Sequence, residues 1–164
     1  MNDTQHAPLA KKSPLHDFLA PGSIAIIGAS ADPTKRGYKA MVGLIKGGYA
    51  GRIHPINPKV SEILGVPTHP SLDEVPGPVD LALICTPAST IPGLLAECGR
   101  KGVKGAVILA SGFRETGPEG AKLEQKVLEA ARAGGVRIIG PNTSGMFNLH
   151  QQVNLLDLRN VKPG

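Results

Sequence analysis

The chain has 164 residues, of which 41% are hydrophobic, so it is long enough for one domain with a sizeable core. Aromatic residues make up only 3% and tryptophan is absent, which argues against an aromatic stacking platform for single-stranded nucleic acid. The formal net charge is +5 at pH 7, but no nucleic-acid recognition motif accompanies it. No stretch is long and apolar enough to suggest a membrane partner. A phosphorylated small molecule explains the positive charge as well as nucleic acid does.

Residues 1–14 are polar and lack the apolar segment of a signal peptide, so we expect a flexible arm. The two cysteines, Cys85 and Cys98, include no C-x-x-C pair, so neither a metal site nor a disulfide is indicated. We expect two reduced thiols in a cytoplasmic protein.

The first strong pattern is a strand, a loop and a helix within residues 23–48. Apolar, largely β-branched residues 23–27 predict a strand buried on both faces of a parallel sheet. Gly28 and small residues follow, and then an amphipathic helix pattern ends at a glycine pair. Such a unit places backbone N–H groups and a helix N-terminus beside one cavity, which favours an anion such as phosphate. Lys35 and Arg36 stand where the helix opens and add mobile positive charge.

This loop differs from the dinucleotide-binding fingerprint G-x-G-x-x-G, because Gly28 and Gly37 are separated by a longer, charged segment. The second strand, at residues 51–56, ends in Asn57-Pro58-Lys59 rather than in the acidic residue that holds the ribose of NAD. Basic residues stand in the first loop and after the second strand, namely Lys35, Arg36 and Lys59. They suit a ligand with more phosphate groups than NAD.

Strands and helices alternate along the rest of the chain. Buried strands are predicted at residues 23–27, 51–56, 79–85, 105–110 and 136–139. Later helices are predicted to begin near Thr90 and at Pro118, and short helical turns are predicted at residues 15–19 and 61–64. This alternation predicts an α/β fold: a single domain with a Rossmann-like, doubly wound parallel sheet and right-handed crossovers.

In such sheets, ligands bind outside the carboxyl ends of the strands. Small or polar residues follow all five predicted strands, namely Gly28-Ala29-Ser30, Asn57-Pro58-Lys59, Thr86-Pro87-Ala88, Ser111-Gly112-Phe113 and Pro141-Asn142-Thr143-Ser144. Five such loops on one edge of the sheet predict a binding edge.

Taken in order, these motifs resemble the CoA-binding domain of the NDP-forming (ADP-forming) acyl-CoA synthetases, relatives of the succinyl-CoA synthetase α subunit. The resemblance covers roughly residues 15–164 and implies coenzyme A as the bound molecule. It implies that the first loop cradles the CoA phosphates through Gly28, Ala29, Ser30, Lys35, Arg36 and Gly37. It implies further CoA contacts along the edge from Asn57, Pro58 and Lys59 at the nucleotide part, from Thr86, Pro87 and Ala88 along the ligand, and from Ser111, Gly112, Pro141, Asn142 and Thr143 at the pantetheine and thiol end.

The complete enzymes of this family look like ADP-forming acid–CoA ligases, in which an acyl phosphate reacts with CoA and a histidine of a following domain relays phosphate to ADP. The sequence ends at residues 161–164, where the family's next domain begins, so we expect residues 15–164 to form the CoA-binding domain without those that follow. None of the histidines matches the relay motif: His6, His16, His54, His69 and His150. We therefore assign no catalytic residue and expect no catalysis from this chain alone. The remaining synthetase domains or a partner subunit are the expected protein partners.

Two other functions stay open at this point. One is a stand-alone CoA-binding or regulatory module, or the CoA-binding domain of a protein acyltransferase. The other is an NAD(P)-binding oxidoreductase domain, for which Arg36 and Lys59 leave NADP open. Some of the motif residues also have plain structural interpretations: Asn142 as a turn stabiliser, and Glu115 with Arg114 as a surface ion pair.

Overall fold

The computed structural model describes residues 15–156; the predicted arm at residues 1–14 lies outside the described residues, as does the segment 157–164. The elements in chain order are α1 (His16–Leu19), β1 (Ser23–Ile27), α2 (Arg36–Gly47), β2 (Arg52–Ile56), β3 (Glu62–Ile63), β4 (Val66–Pro67), β5 (Leu81–Ile84), α3 (Ile91–Lys101), β6 (Gly105–Ile108), α4 (Pro118–Gly134), β7 (Arg137–Ile139), β8 (Phe147–Asn148) and β9 (Val153–Asn154). Among these helices, none is long and apolar enough to cross a membrane.

A five-stranded sheet forms the centre of the domain, in the order β2-β1-β5-β6-β7, and every neighbouring pair is parallel. Strands β1, β5 and β6 are buried along their whole length, as their continuous apolar runs predicted. The chain runs outward from β1 to β2 in one direction and from β5 to β7 in the other. The order of the strands therefore reverses between β1 and β5, which confirms the predicted doubly wound fold.

Alternate residues of each central strand face opposite sides of the sheet. Ile26 belongs to the core cluster that contains Met41 of α2 on one side. Ile27 belongs to the cluster on the other side, with Leu95 of α3 and Val127 of α4. All of these side chains are at most 4% exposed. The sheet is therefore covered on both faces.

Residues 61–64 do not form the predicted helical turn. They belong to an antiparallel hairpin in which Ile63 of β3 pairs with Val66 of β4. The two residues between them, Leu64 and Gly65, have φ angles of 53° and 79°, the left-handed conformations of a two-residue hairpin turn. Burial of Ile63, which is 2% exposed, holds this hairpin on the domain. A short apolar run does not distinguish a strand from a helical turn, and here long-range packing decides.

A second antiparallel hairpin, β8–β9, was not predicted. Its residues Val153 and Leu155 are buried in the cluster on the α2 side of the sheet. The side-chain amide of Asn148 donates a hydrogen bond of 2.7 Å to the carbonyl of Leu19, which joins the hairpin to α1. These two elements complete the cover of the α2 face.

Candidate functional site

An open pocket of about 560 Å³ lies at the carboxyl edge of the sheet, beside the ends of β1, β2 and β5. This is the place where the strand order reverses, and we call it the switch-point pocket. Its lining residues are Ile27, Gly28, Ile56, Asn57, Pro58, Lys59, Pro70, Ser71, Leu72, Thr86, Leu94 and Glu97. A crevice at this position is where doubly wound sheets bind their ligands.

The loop after β1 and the start of α2 are in direct backbone contact. A Cβ atom at Gly37 would lie 2.9 Å from the Cα of Ala29 and closer still to the carbonyl oxygen of Gly28. Gly28 has φ 84°, and a Cβ atom there would lie 2.8 Å from Cγ2 of Thr86. Both positions therefore require glycine, and the contact brings the N-terminus of α2 against the loop at the pocket. Helix N-termini favour anions, so this packing places an anion-favouring helix end beside the pocket.

Asn57 connects the loops that follow β1 and β2. Its side-chain amide donates a hydrogen bond of 2.8 Å to the carbonyl of Ala29, and its side-chain oxygen accepts one of 2.8 Å from the backbone N–H of Lys59. The backbone N–H of Gly28 donates to the carbonyl of Ile56 at 3.3 Å. The two loops are thus joined at two points, and the bond from Lys59 orients the Asn57 side chain, which fixes one wall of the pocket.

The rim of the first loop is also fixed by short-range hydrogen bonds. The hydroxyl of Ser30 accepts from the backbone N–H of Asp32 at 3.1 Å, and the carboxylate of Asp32 accepts from the backbone N–H of Thr34 at 2.9 Å. This bond to the Thr34 N–H, assisted by the Thr34 hydroxyl, lowers the pKa of Asp32. Lys35 precedes α2 with an extended backbone, and within residues 15–156 its ammonium group has no hydrogen-bond or ion-pair partner.

Arg36 differs from Lys35. Its Nη1 donates to the carbonyl of Leu109 at 2.9 Å and to that of Thr143 at 3.4 Å. The expectation of mobile positive charge therefore applies to Lys35 and is wrong for Arg36. The guanidinium does not line the switch-point pocket and instead borders a second depression of about 240 Å³, together with Lys39, Leu109, Ser144, Leu155 and Leu156.

The loop after β5 forms another part of the edge. The hydroxyls of Thr86 and Thr90 are 2.8 Å apart, and the Thr90 hydroxyl donates to the carbonyl of Pro87 at 2.7 Å. Because Thr90 donates to Pro87, Thr86 is the donor to Thr90. Ala88 begins the short 3₁₀ turn Ala88–Thr90, and its Cβ lies 3.4 Å from where a Cβ would stand at Gly112. The loops after β5 and β6 are therefore in contact.

The loops after β6 and β7 are joined by Glu115. Its carboxylate accepts from the backbone N–H of Gly112 at 2.6 Å and from the side-chain amide of Asn142 at 3.3 Å. The backbone N–H of Gly112, followed by those of Glu115 and Phe113, lowers the pKa of this carboxyl group. The interpretation of Asn142 as stabilising its own turn is therefore incomplete, since its amide reaches a neighbouring loop.

Arg114 does not pair with Glu115, so that interpretation is wrong. Its guanidinium Nε donates to Oε2 of Glu124 in α4 at 2.9 Å. Neither cysteine offers a reactive thiolate, because burial raises the pKa of Cys85 and of Cys98 to about 12. Both are free thiols, as expected.

The sequence-predicted residues thus lie along one edge but not around one cavity. Gly28, Asn57, Pro58, Lys59 and Thr86 line the switch-point pocket. Ala29 and Gly37 are buried behind it, Ser30 and Lys35 lie on the adjoining loop, and the remaining residues follow toward β7: Pro87, Ala88, Ser111, Gly112, Pro141, Asn142 and Thr143.

Seven residues that line the pocket were not predicted as site residues; two of them, Ile27 and Ile56, end the strands β1 and β2. Leu94 and Glu97 stand three positions apart on α3, so helical spacing places them on one face. Pro70, Ser71 and Leu72 reach the pocket because His69 forms a parallel bridge with Ile56 at the end of β2. The sequence around them carries no signal for that bridge.

A doubly wound parallel sheet with a glycine loop, a helix N-terminus and a pocket at its switch point defines a Rossmann-like ligand-binding domain. The sequence profile of the CoA binding domain family matches residues 22–148, and the chain belongs to this family. This confirms the predicted resemblance, the fold class and coenzyme A as the bound molecule.

Two relatives of the chain are ADP-forming acetate–CoA ligases. Over 134 residues the chain is 46% identical to acetate–CoA ligase (ADP-forming) II of Archaeoglobus fulgidus, covering 82% of this chain and 20% of that protein. It is 44% identical to the α subunit of the Pyrococcus furiosus ligase of the same name, covering 90% of this chain and 32% of that subunit. The chain therefore spans at most about a third of these two relatives.

A solved structure agrees with this assignment. The dinucleotide-forming acetyl-coenzyme A synthetase 1 of Ca. Korarchaeum cryptofilum, in complex with phosphate and ADP, superposes with a TM-score of 0.82 at 36% identity. The match covers 86% of this chain and 30% of that one. The alternative of an NAD(P)-binding oxidoreductase domain is not favoured by these matches.

Proposed function

We propose that this chain serves as the CoA-binding domain of an ADP-forming acid–CoA ligase and holds CoA along the carboxyl edge of its sheet. The observation that carries the proposal is the switch-point pocket, with the Gly28 loop packed on the start of α2. Lys59 at the end of β2 supplies a cation where an NAD-binding domain places a carboxylate. The acid at the pocket, Glu97, comes from α3 instead.

The geometry suggests a direction for the ligand. We assign the adenosine part to the switch-point pocket beside Asn57, Pro58 and Lys59, and the phosphates to the Gly28 loop and Lys35. The pantetheine arm would then follow the edge past Thr86, Pro87 and Ala88. Its thiol end would reach Ser111, Gly112, Pro141, Asn142 and Thr143. The contacts between successive loops, from Asn57 to Glu115, support one continuous binding edge.

The remaining synthetase domains, or a partner subunit, would supply the acid substrate and the phosphate relay. We expect no acyl-CoA formation by the 164-residue chain alone from acid, CoA and ATP. Turnover by the purified chain would contradict the assignment of these steps to other domains or a partner subunit.

A thermal melt with CoA, NAD and NADP side by side tests the proposal. A ligand that binds only the folded state adds about 2.7 kcal/mol at 100 times its Kd, and each kcal/mol moves the Tm of such a domain by roughly 2–4 °C. Saturating CoA should therefore raise the Tm by about 5–10 °C and NAD or NADP much less. A shift with NADP and none with CoA would overturn the proposal.

A further inference from the structure

The loop after β7, residues 140–145, is held from two sides by charged side chains of other elements. On one side, Nη1 of Arg36 donates to the carbonyl of Thr143 and, at 2.9 Å, to that of Leu109 beyond the end of β6. On the other side, the carboxylate of Glu115 accepts from the amide of Asn142 while it accepts from the N–H of Gly112 at 2.6 Å. We call these two contacts the loop clamps.

The clamp residues have the chemistry that such contacts need. A guanidinium presents several donors in a rigid plane, so Arg36 reaches two carbonyls of separate segments, whereas a lysine carries one compact ammonium. A cation at a helix N-terminus is unfavourable toward the helix dipole, so α2 itself gives no reason for Arg36 at this position. Glu115 is held as a carboxylate by backbone N–H groups, which lower its pKa.

We propose that Arg36 and Glu115 are positioning residues that hold the 140–145 loop in the conformation that receives the pantetheine end of CoA, and that Arg36 does not bind phosphate. The inference rests on the proposed function and gives different roles to Lys35 and Arg36, the two basic residues at the start of α2. Lys35, whose ammonium group makes no hydrogen bond or close ion pair within residues 15–156, acts on phosphate through its charge. Arg36, whose guanidinium is engaged by two carbonyls, acts through the loop.

Two ligands separate these roles. CoA carries the pantetheine arm, and adenosine 3′-phosphate 5′-diphosphate (3′-phospho-ADP) has the nucleotide and all three phosphates without that arm. We expect Arg36→Ala to weaken CoA binding about tenfold, the factor for a loop whose competent conformation falls to about a tenth of the population. The same variant should bind 3′-phospho-ADP within about twofold of the unchanged chain, because the loop does not meet it. Lys35→Ala should weaken both ligands.

Three further variants make the test decisive. Arg36→Lys keeps the charge but loses the planar Nη1 group that donates to both carbonyls, so it should bind CoA as weakly as Arg36→Ala; full rescue by lysine would overturn the proposal. Glu115→Gln should also weaken CoA selectively. Lys39→Ala removes a neighbouring exposed charge at the same depression, whose side chain has no hydrogen-bond partner within residues 15–156, and should behave like the unchanged chain.

Amide hydrogen exchange of the ligand-free protein measures the clamps directly. Residues 142–145 should exchange faster in Arg36→Ala and Glu115→Gln, while residues 24–27 of β1 stay protected and show that the fold is intact. Equal loss of affinity for CoA and 3′-phospho-ADP in Arg36→Ala, with unchanged exchange, would identify Arg36 as a phosphate ligand. If the unchanged chain does not bind CoA, the proposed function fails, and the exchange data still decide whether the clamps exist.

Discussion

The two halves of the carboxyl edge are built by different interactions. In the half formed by the ends of β2, β1 and β5, backbone packs on backbone at Gly28 and Gly37, and Asn57 closes the gap through short hydrogen bonds. In the half formed by the ends of β6 and β7, backbone hydrogen bonds from Asn142 and Thr143 join the loop to the β6 segment, and charged side chains of Arg36 and Glu115 add contacts between segments. The second half therefore depends on charged side-chain contacts that the first half does not use.

This difference has a mutational consequence. Substitutions in the first half should change stability and CoA affinity together, because the same contacts serve both. Substitutions in the second half should change affinity and loop exchange with little effect on the Tm.

The largest loss of stability, with a loss of CoA affinity, is expected from Gly37→Ala. The new methyl group would press into the Gly28 carbonyl and the Ala29 backbone, and overpacking of this kind costs about 1–3 kcal/mol. We expect the Tm to fall by roughly 2–12 °C and CoA affinity to fall with it. Gly93→Ala is the matched control, since it lies in the first turn of α3 with no atom within 4 Å of its new Cβ. A neutral Gly37→Ala would show that the loop is not fixed by packing.

Asn57→Ala should have the next largest effect. It removes two hydrogen bonds, each contributing about 0.5–1.5 kcal/mol, so unfolding free energy should fall by about 1–3 kcal/mol. Asn57→Asp keeps the acceptor for the Lys59 N–H but loses the donor to Ala29 and adds a negative charge near the assigned phosphates. Urea titrations should show the aspartate variant no less stable than alanine, and calorimetry should show it binding CoA more weakly. Equal CoA affinity in both variants would place the phosphates away from Asn57.

Replacing the exposed lysines at the rim of the pocket should change CoA affinity through long-range charge. Lys35→Ala and Lys59→Ala should each reduce CoA affinity by up to about fivefold and flatten its dependence on salt, because exposed charge pairs contribute about 0.2–1 kcal/mol and are screened. Lys104→Ala, just before β6 at the opposite edge of the sheet, is the control and should leave both quantities unchanged. Unchanged salt dependence in the rim variants would show that the loop amides bind the phosphates alone.

The smallest effects concern pH. His54 in β2 is buried, its Nε2 has no hydrogen-bond partner within residues 15–156, and the ring of His69 lies 5.5 Å away. Burial chiefly, and then the charges of His69, Arg52 and Lys101, lower the pKa of His54 below 6.5. Because the folded state prefers the neutral ring, stability should decline as the pH falls from 6.5 toward the folded pKa. Denaturant midpoints should show this decline, and His54→Leu should reduce it.

The contacts of Glu115 should respond to pH in a lower pH range than His54 does. Its pKa is depressed below 4.5, so its contacts should persist above pH 4.5 and be lost as the pH falls through the folded value. The protection factors of the 140–145 loop amides, which are corrected for the pH dependence of intrinsic exchange, should therefore stay constant while the pH falls through the His54 range. Loop protection that falls together with the His54 transition would contradict the separation of the two halves.

The sequence predicted those features that depend on local pattern and topology. Continuous apolar runs located the five sheet strands within about two residues, and the rule for parallel strands placed the small-residue loops at one edge. The antiparallel pairing of β3 with β4 and the β8–β9 hairpin were not predicted, because strands of two residues carry no periodicity and are stabilised by distant packing. The carbonyl partners of Arg36 lie 73 and 107 positions away, so its role was not readable from neighbouring residues.

Backbone amide NMR shifts during a titration with CoA test the binding edge most directly. Adenosine 3′-phosphate 5′-diphosphate should shift the amides of Gly28, Ser30 and Lys59 alone, and CoA should shift these and also Gly112 and Asn142. CoA shifts confined to the first set would contradict a ligand that spans both halves of the edge, and shifts at the opposite edge near Lys104 would contradict the site itself.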